Sequence, residues 1–281
     1  MRTGLVAGIR LRLFGCNFSA PCGEVGAIWV SARKISGICT HTFLVAAVRP
    51  PWAMDRYESY KELAQHESEG ADYVISAREG SSPIAVIAPH GGGIEPGTAD
   101  IADAIAADQH AFAAFKGIKK SGNRTLHIRS DRFDEFPGAG IAERCRKVVT
   151  IHGCRGQEER IYVGGRSHKV KIRIIDALNR AGFNAEESLK PALQGRRRRN
   201  ICNRCLSGRG VQVEISKGLR EKMFKNLSKH STREKTETFH CFVRTVKASL
   251  DAYVRAQFRR DLPGYRSRAF PEHPNLRTLK L

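Results

Sequence analysis

The 281-residue chain predicts an α/β fold, an open and mostly parallel sheet with helices on both faces. Three observations carry this. The runs Ile84 to Ala88 and Val148 to Ile151 lack polar alternation, as strands buried on both faces do. Stretches of helical period separate such runs. Both runs also end on a histidine followed by glycine, His90-Gly91 and His152-Gly153.

Taken in order, Ser59 caps a short helix through His66, and Tyr73 to Ser76 reads as a strand. Ile84 to Ala88 follows, stopped by Pro89-His90 and three glycines, which permit a sharp turn and a close backbone approach. Thr98 reads as an N-cap, with Ile101, Ala102, Ile105 and Ala106 on one helical face. Phe112 to Phe115 and Thr125 to Ile128 read as short strands, and Gly140 to Lys147 as a helix leading into Val148 to Ile151. Glu159 to Val163 is a further strand; Lys171 to Ala181 carries Ile174, Ile175 and Leu178 at helical spacing, and Gly182 closes it. Gly195 to Asn200, GRRRRN, is a basic loop. Gly210 to Ser216 alternates as a strand, and helices follow over Lys217 to Asn226 and Glu237 to Phe258.

The net charge is +20 and the pI near 10.0, which calls for an anionic partner: nucleic acid, an anionic surface or a polyanionic substrate. Residues 1–54 carry six Lys/Arg against one Glu, and residues 255–281 seven against two, so each end adds +5. The ends also differ in texture. Residues 1–53 sustain no period and read as a disordered or artefactual extension ahead of Met54. Residues 54–258 form the folded domain, and 259–281, with Pro263, Pro271 and Pro274, a basic tail of little structure. Eight irregularly spaced cysteines in so long a chain argue against a disulfide scaffold and for reduced thiols in a cytoplasmic protein. Cys202 and Cys205 form a CxxC with no second pair at zinc-ribbon spacing. No apolar run reaches transmembrane length, so no membrane partner is expected.

In open α/β sheets ligands bind beyond the carboxyl ends of the strands, so His90 and His152 are expected to face one site. Glu95, across the glycine turn from His90, reaches the same point. Two His and one Glu with an open position match the ligand set of catalytic zinc. Glu214, within an apolar strand and flanked on its face by Gln212 and Ser216, is the candidate base. Blander assignments suit the same residues. The glycines also fit a phosphate cradle, the histidines strand caps, and Glu214 an arginine partner.

Six motifs in order carry a family resemblance. They are Ala88-Pro89-His90-Gly91-Gly92-Gly93-Ile94-Glu95-Pro96-Gly97-Thr98; Leu126-His127-Ile128 before Phe133-Asp134; Thr150-Ile151-His152-Gly153; Tyr162-Val163-Gly164-Gly165; Asn200-Ile201-Cys202-Asn203-Arg204; and Gly210 to Ser216. They resemble the poly-γ-glutamate hydrolase family, zinc enzymes of Bacillus phages and phage-related bacterial proteins, and the resemblance spans Tyr57 to about Tyr253. The resemblance implies a zinc-carboxypeptidase-like fold with one zinc ion per chain on His90, Glu95 and His152. It implies Glu214 as general base and Asn203-Arg204 as a clamp on a substrate carboxylate. The expected partner is then a polyanionic γ-glutamyl substrate, met by a monomer. The alternative is a nucleic-acid-binding protein that uses the GRRRRN loop and basic tails around a degenerate site. A 7% aromatic content and the lack of a base-reading motif count against it.

Overall fold

The computed structural model describes residues 9–13, 16–20, 55–134 and 136–258. The chain divides into two units between Met54 and Asp55. In the first, β1 (Ile9–Leu13) and β2 (Cys16–Ala20) form an antiparallel hairpin. The rest of the extension expected over 1–53, and the basic tail expected over 259–281, lie outside the described residues.

The second unit is built on a seven-stranded mixed sheet. Its strands are β3 (Tyr73–Arg78), β4 (Ile84–Gly92), β5 (Ala111–Gly117), β6 (Lys147–Cys154), β7 (Ile161–Gly165), β8 (Ala185–Glu187) and β9 (Val211–Ser216). They lie in the order β3-β5-β4-β6-β9-β7-β8. The central run β5-β4-β6-β9 is parallel, as is β7-β8, while β3 on β5 and β7 on β9 are antiparallel. The expected open, mostly parallel sheet is therefore the observed one.

β4 shows why the strand reads as continuously apolar. Ile84, Val86 and Ala88 enter one core and Ala85 and Ile87 the other, all fully buried. The first core is closed by α2 (Thr98–Ala106), α4 (His168–Arg180), α5 (Lys217–Met223) and α6 (Glu237–Phe258), the second by α1 (Tyr60–His66) and α3 (Pro137–Arg144). Each buried Ile or Leu adds ~1.5–3 kcal/mol to this layering. α6 spans the expected bounds, and Ser59 caps α1 by accepting from the Glu62 amide.

Four elements differ from expectation. Thr125–Ile128 is not a strand: Asn123–Leu126 is a 3-10 turn, and Leu126 and Ile128 are buried in the second core. Their alternation reflects that burial, because β3 already occupies the open edge of β5. Gly97, at φ 88°, is the N-cap of α2, and Thr98 is its first helical residue, donating its hydroxyl to the Glu95 carbonyl at 2.8 Å. α3 begins at Pro137 and ends at Arg144, three residues before β6. α5 stops at Met223, where the chain turns into β10 (Phe224–Lys225), paired with β11 (Glu234–Lys235). No helix among the described residues is long and apolar enough to cross a membrane.

Candidate functional site

The three central parallel strands end side by side, and each delivers one expected residue. β4 carries His90, β6 carries His152, and β9 carries Glu214, the register partner of His152. Strand alternation explains the facing. Val149 and Ile151 of β6 and Val213 and Ile215 of β9 all enter the first core. His152 and Glu214 therefore share the opposite face.

Glu95 arrives by the glycine turn. Gly92 sits at φ 64°, and a Cβ there would meet the Gly117 carbonyl oxygen at 2.2 Å, so both conformation and space demand glycine. The Glu95 amide donates to the His90 carbonyl at 2.9 Å, folding the carboxylate back over the strand end. Glu95 Oε1 lies 3.2 Å from His90 Nδ1. Glu95 Oε2 accepts from the Gly153 amide at 2.7 Å and lies 3.8 Å from His152 Nδ1. The two Nδ1 atoms are 3.1 Å apart. One ligand atom from each of His90, Glu95 and His152 thus lies within 4.8 Å of the other two, and all three residues are buried.

The donor set fits a divalent cation. His90 donates Nε2–H to the Ile128 carbonyl at 2.6 Å, which turns its Nδ1 lone pair inward, the usual device by which a second partner orients a metal-binding imidazole. Burial drives the His152 pKa down to about 3, helped by the His90 charge, so its ring is a neutral donor. Its Nε2 is buried with no hydrogen-bond partner among the described residues. Burial opposes charge on His90 and Glu95 as well, yet their mutual attraction prevails: His90 is raised, and Glu95 is held at about 2.

Glu214 is 5% exposed and carries no ion pair among the described residues. Burial and the Glu95 charge push its pKa well above the usual carboxylate range. Gln212 Nε2 donates to Glu214 Oε1 at 2.8 Å and is itself held by Asn200 at 2.9 Å, so the carboxyl is aimed by a chain of amides.

Two further residues join the site without having been assigned a role from sequence. His127 stacks on His90 at 4.1 Å between ring centroids, and its Nε2 is 4.0 Å from Glu95 Oε1. Its Nδ1 is 2.7 Å from Asp55 Oδ1, and the Arg129 amide donates to the other Asp55 oxygen. The hydrogen bond and charge of His127 overcome the burial of Asp55 and lower its pKa. The available signal was a histidine framed by Leu126 and Ile128, a polar residue between two core positions.

Asn203 and Arg204, the expected clamp, are both held by other parts of the chain. Asn203 is buried, donates to the carbonyls of Gly195 and Arg197 and accepts from the Gly210 amide. Arg204 pairs with Glu143 and donates to the Phe133 carbonyl. Neither lines the cleft. Asn203 instead shapes the GRRRRN loop, which brings Arg196 and Arg197 to the rim. The cleft is about 950 Å³, and Arg124, Arg129, Arg155 and Lys190 line it too. Arg124, Arg155 and Lys190 have no carboxylate partner among the described residues. The cysteines of the CxxC are free and buried, with Cys202 pushed up by burial, which leaves them inert packing groups.

Known proteins are similar to this chain in sequence and fold. Residues 57–245 match the family model described as poly-gamma-glutamate hydrolase. The UPF0714 protein YmaC of Bacillus subtilis is 35% identical over 200 residues, 70% of this chain and 84% of its own. YndL of the same organism is 33% identical over 174 residues, 62% of this chain and 68% of its own. A solved bacteriophage poly-gamma-glutamate hydrolase superposes with TM-score 0.68 at 29% identity, covering 71% of this chain and 98% of that one. A zinc-free YndL structure superposes with TM-score 0.67 at 31% identity, covering 71% and 99%. With the family model covering well over half its length, the chain belongs to the poly-γ-glutamate hydrolase family.

Proposed function

We propose that this chain is a zinc-dependent hydrolase of γ-glutamyl amide bonds in a polyanionic substrate. The observation that carries the reading is the convergence of His90, Glu95 and His152 beside a buried Glu214, all lining one cation-rich cleft. His90 and His152 would hold the metal through ring nitrogens and Glu95 through its carboxylate. When bound, zinc supplies Lewis acidity, bringing the pKa of water toward ~7 and polarising the amide carbonyl.

The remaining chemistry belongs to the protein. Glu214 takes a proton from the attacking water and delivers it to the leaving nitrogen as the C–N bond breaks, giving a carboxylate and an amine. Its raised pKa suits that exchange, since a base works best when its pKa approaches the working pH. Asp55 and His127 brace the His90 ring from the cleft side. Arg124, Arg155 and Lys190 supply the contacts to substrate carboxylates that the resemblance had implied for Asn203-Arg204. The nucleic-acid alternative rests on a degenerate site, and here the three metal donors and the base are all present.

The test is metal content and turnover of the purified chain on poly-γ-glutamate. Zinc near one per chain, lost on His90→Ala, together with release of glutamyl fragments, is the expected result. Folded wild type that takes up no zinc refutes the reading.

A further inference from the structure

Arg220 lies on α5, outside every motif discussed above, and is 5% exposed. Burial drives its pKa down, and the charges of Glu95 and Glu214 oppose that fall. A buried guanidinium normally pairs with a carboxylate. This one binds three backbone carbonyls instead. Nε donates to Ile215 at 3.1 Å, Nη1 to Pro96 at 2.9 Å and Nη2 to Cys154 at 3.2 Å.

The identity of those carbonyls is what matters. Pro96 follows Glu95 directly, Ile215 follows Glu214 directly, and Cys154 stands two residues after His152. One planar group therefore ties together the backbones leaving three of the four site side chains. They come from three separate segments that no covalent link joins locally. The plane also lies over Gly153: a Cβ there would sit 2.6 Å from the guanidinium carbon. Gly153 in turn donates its amide to Glu95 at 2.7 Å, so removing the glycine would disturb both contacts together.

We infer that Arg220 is a positioning residue, a buried three-way brace that sets the distances among Glu95, His152 and Glu214. This rests on the proposed zinc hydrolase reading. The mechanism gives Arg220 no contact with the reacting atoms; its effect passes through the backbone. Lysine can substitute only in part, because an ammonium is a point donor and the three carbonyls need a planar fork.

The test uses the full chain as wild type, R220M, R220K and G153A, with Ile174→Ala as a control that weakens the first core at α4, away from the cleft. Zinc affinity is read by competition with a chromophoric chelator, turnover by kcat and KM on poly-γ-glutamate, and folding by the thermal midpoint of the chelated protein. R220M is expected to weaken zinc binding and lower kcat by about 10–100-fold, the range for loss of an outer partner of a metal site. Arg220 also borders the cleft, but its three N–H donors are taken up by backbone carbonyls, and Arg124, Arg155 and Lys190 are untouched, so KM should stay within about two-fold. R220K should recover only part of the loss, and G153A should imitate R220M by displacing the guanidinium. I174A should lower the midpoint but leave zinc affinity and kcat as in wild type. Should R220M fail to fold, R220K and G153A carry the comparison. Folded Arg220 variants with wild-type zinc affinity and kcat overturn the brace alone, and so do losses no larger than those of I174A. Wild type that binds no zinc overturns the hydrolase reading and the brace with it.

Discussion

Glu214→Gln separates chemistry from architecture at this site. The change keeps the shape of the side chain, and the amide oxygen can still accept from Gln212 Nε2. Only the proton acceptor is lost. A positioned general base contributes about 10²–10⁴-fold, equal to ~3–5 kcal/mol of barrier at about 1.4 kcal/mol per tenfold, so kcat should fall within that range while zinc content stays unchanged. The chelated protein offers a second readout. Burial, then the Glu95 charge, raises the Glu214 pKa in the fold above the 4.5 of the unfolded chain. Below that value both states hold the proton. As pH rises past it the unfolded chain releases the proton and the folded one keeps it, so wild type loses about 1.4 kcal/mol per pH unit until the folded pKa is reached. The variant lacks this slope. Its stability relative to wild type should therefore begin to rise above pH ~4.5 and keep rising until the folded pKa is reached, read by urea unfolding across the pH series. Full turnover by the variant, or parallel pH–stability curves, would refute the assignment of Glu214 as a buried base.

Further expectations follow from the same geometry. His152→Ala should abolish zinc uptake while secondary structure by circular dichroism is retained, since its ring packs mainly against the other donors. Asp55→Ala frees the His127 ring, and zinc affinity or kcat should fall about 10–100-fold in the competition and turnover assays. Asn203→Ala removes two donated bonds and one accepted bond from a buried loop anchor and should cost ~2–4 kcal/mol in urea unfolding. Arg204→Met should leave KM on poly-γ-glutamate unchanged, because Arg204 faces Glu143 and not the cleft; a large rise in KM would restore it as a substrate clamp.

Much of the site could be read from sequence because of where its residues lie. His90, His152 and Glu214 end or interrupt runs that are otherwise committed to the core, so each breaks a strong local pattern. Glu95 could be found because the glycines dictate a turn of known reach. Arg220 and Asp55 carry no such mark. One is an arginine on an ordinary helix among many arginines, and the other stands at the start of the folded unit, far in sequence from its partner His127. Only tertiary packing makes either informative. Asn203-Arg204 shows the opposite difficulty, for the pair does not line the cleft. The motif marks a 3-10 turn whose buried side chain anchors a neighbouring loop, and a binding role cannot be told from an anchoring role without knowing which way the turn faces. Thr125–Ile128 misled similarly, since alternate burial also arises in a loop tucked under a sheet.

The rim carries its own internal competitor. Asp131 receives Arg129 through two bonds, at 3.1 and 2.9 Å, and Arg197 of the GRRRRN loop at 2.7 Å, so two of the cleft's arginines already hold this one carboxylate. An incoming carboxylate gains these arginines only by exchanging with a tethered rival, whose effective concentration reaches the millimolar range or above. Free glutamate, a single weak ligand, loses that exchange at ordinary concentrations. A polymer that first engages Arg124, Arg155 and Lys190 presents its next carboxylate with a local concentration of its own. On the proposed function, Asp131 thus weights this part of the rim toward ligands that bring several carboxylates and against a lone one.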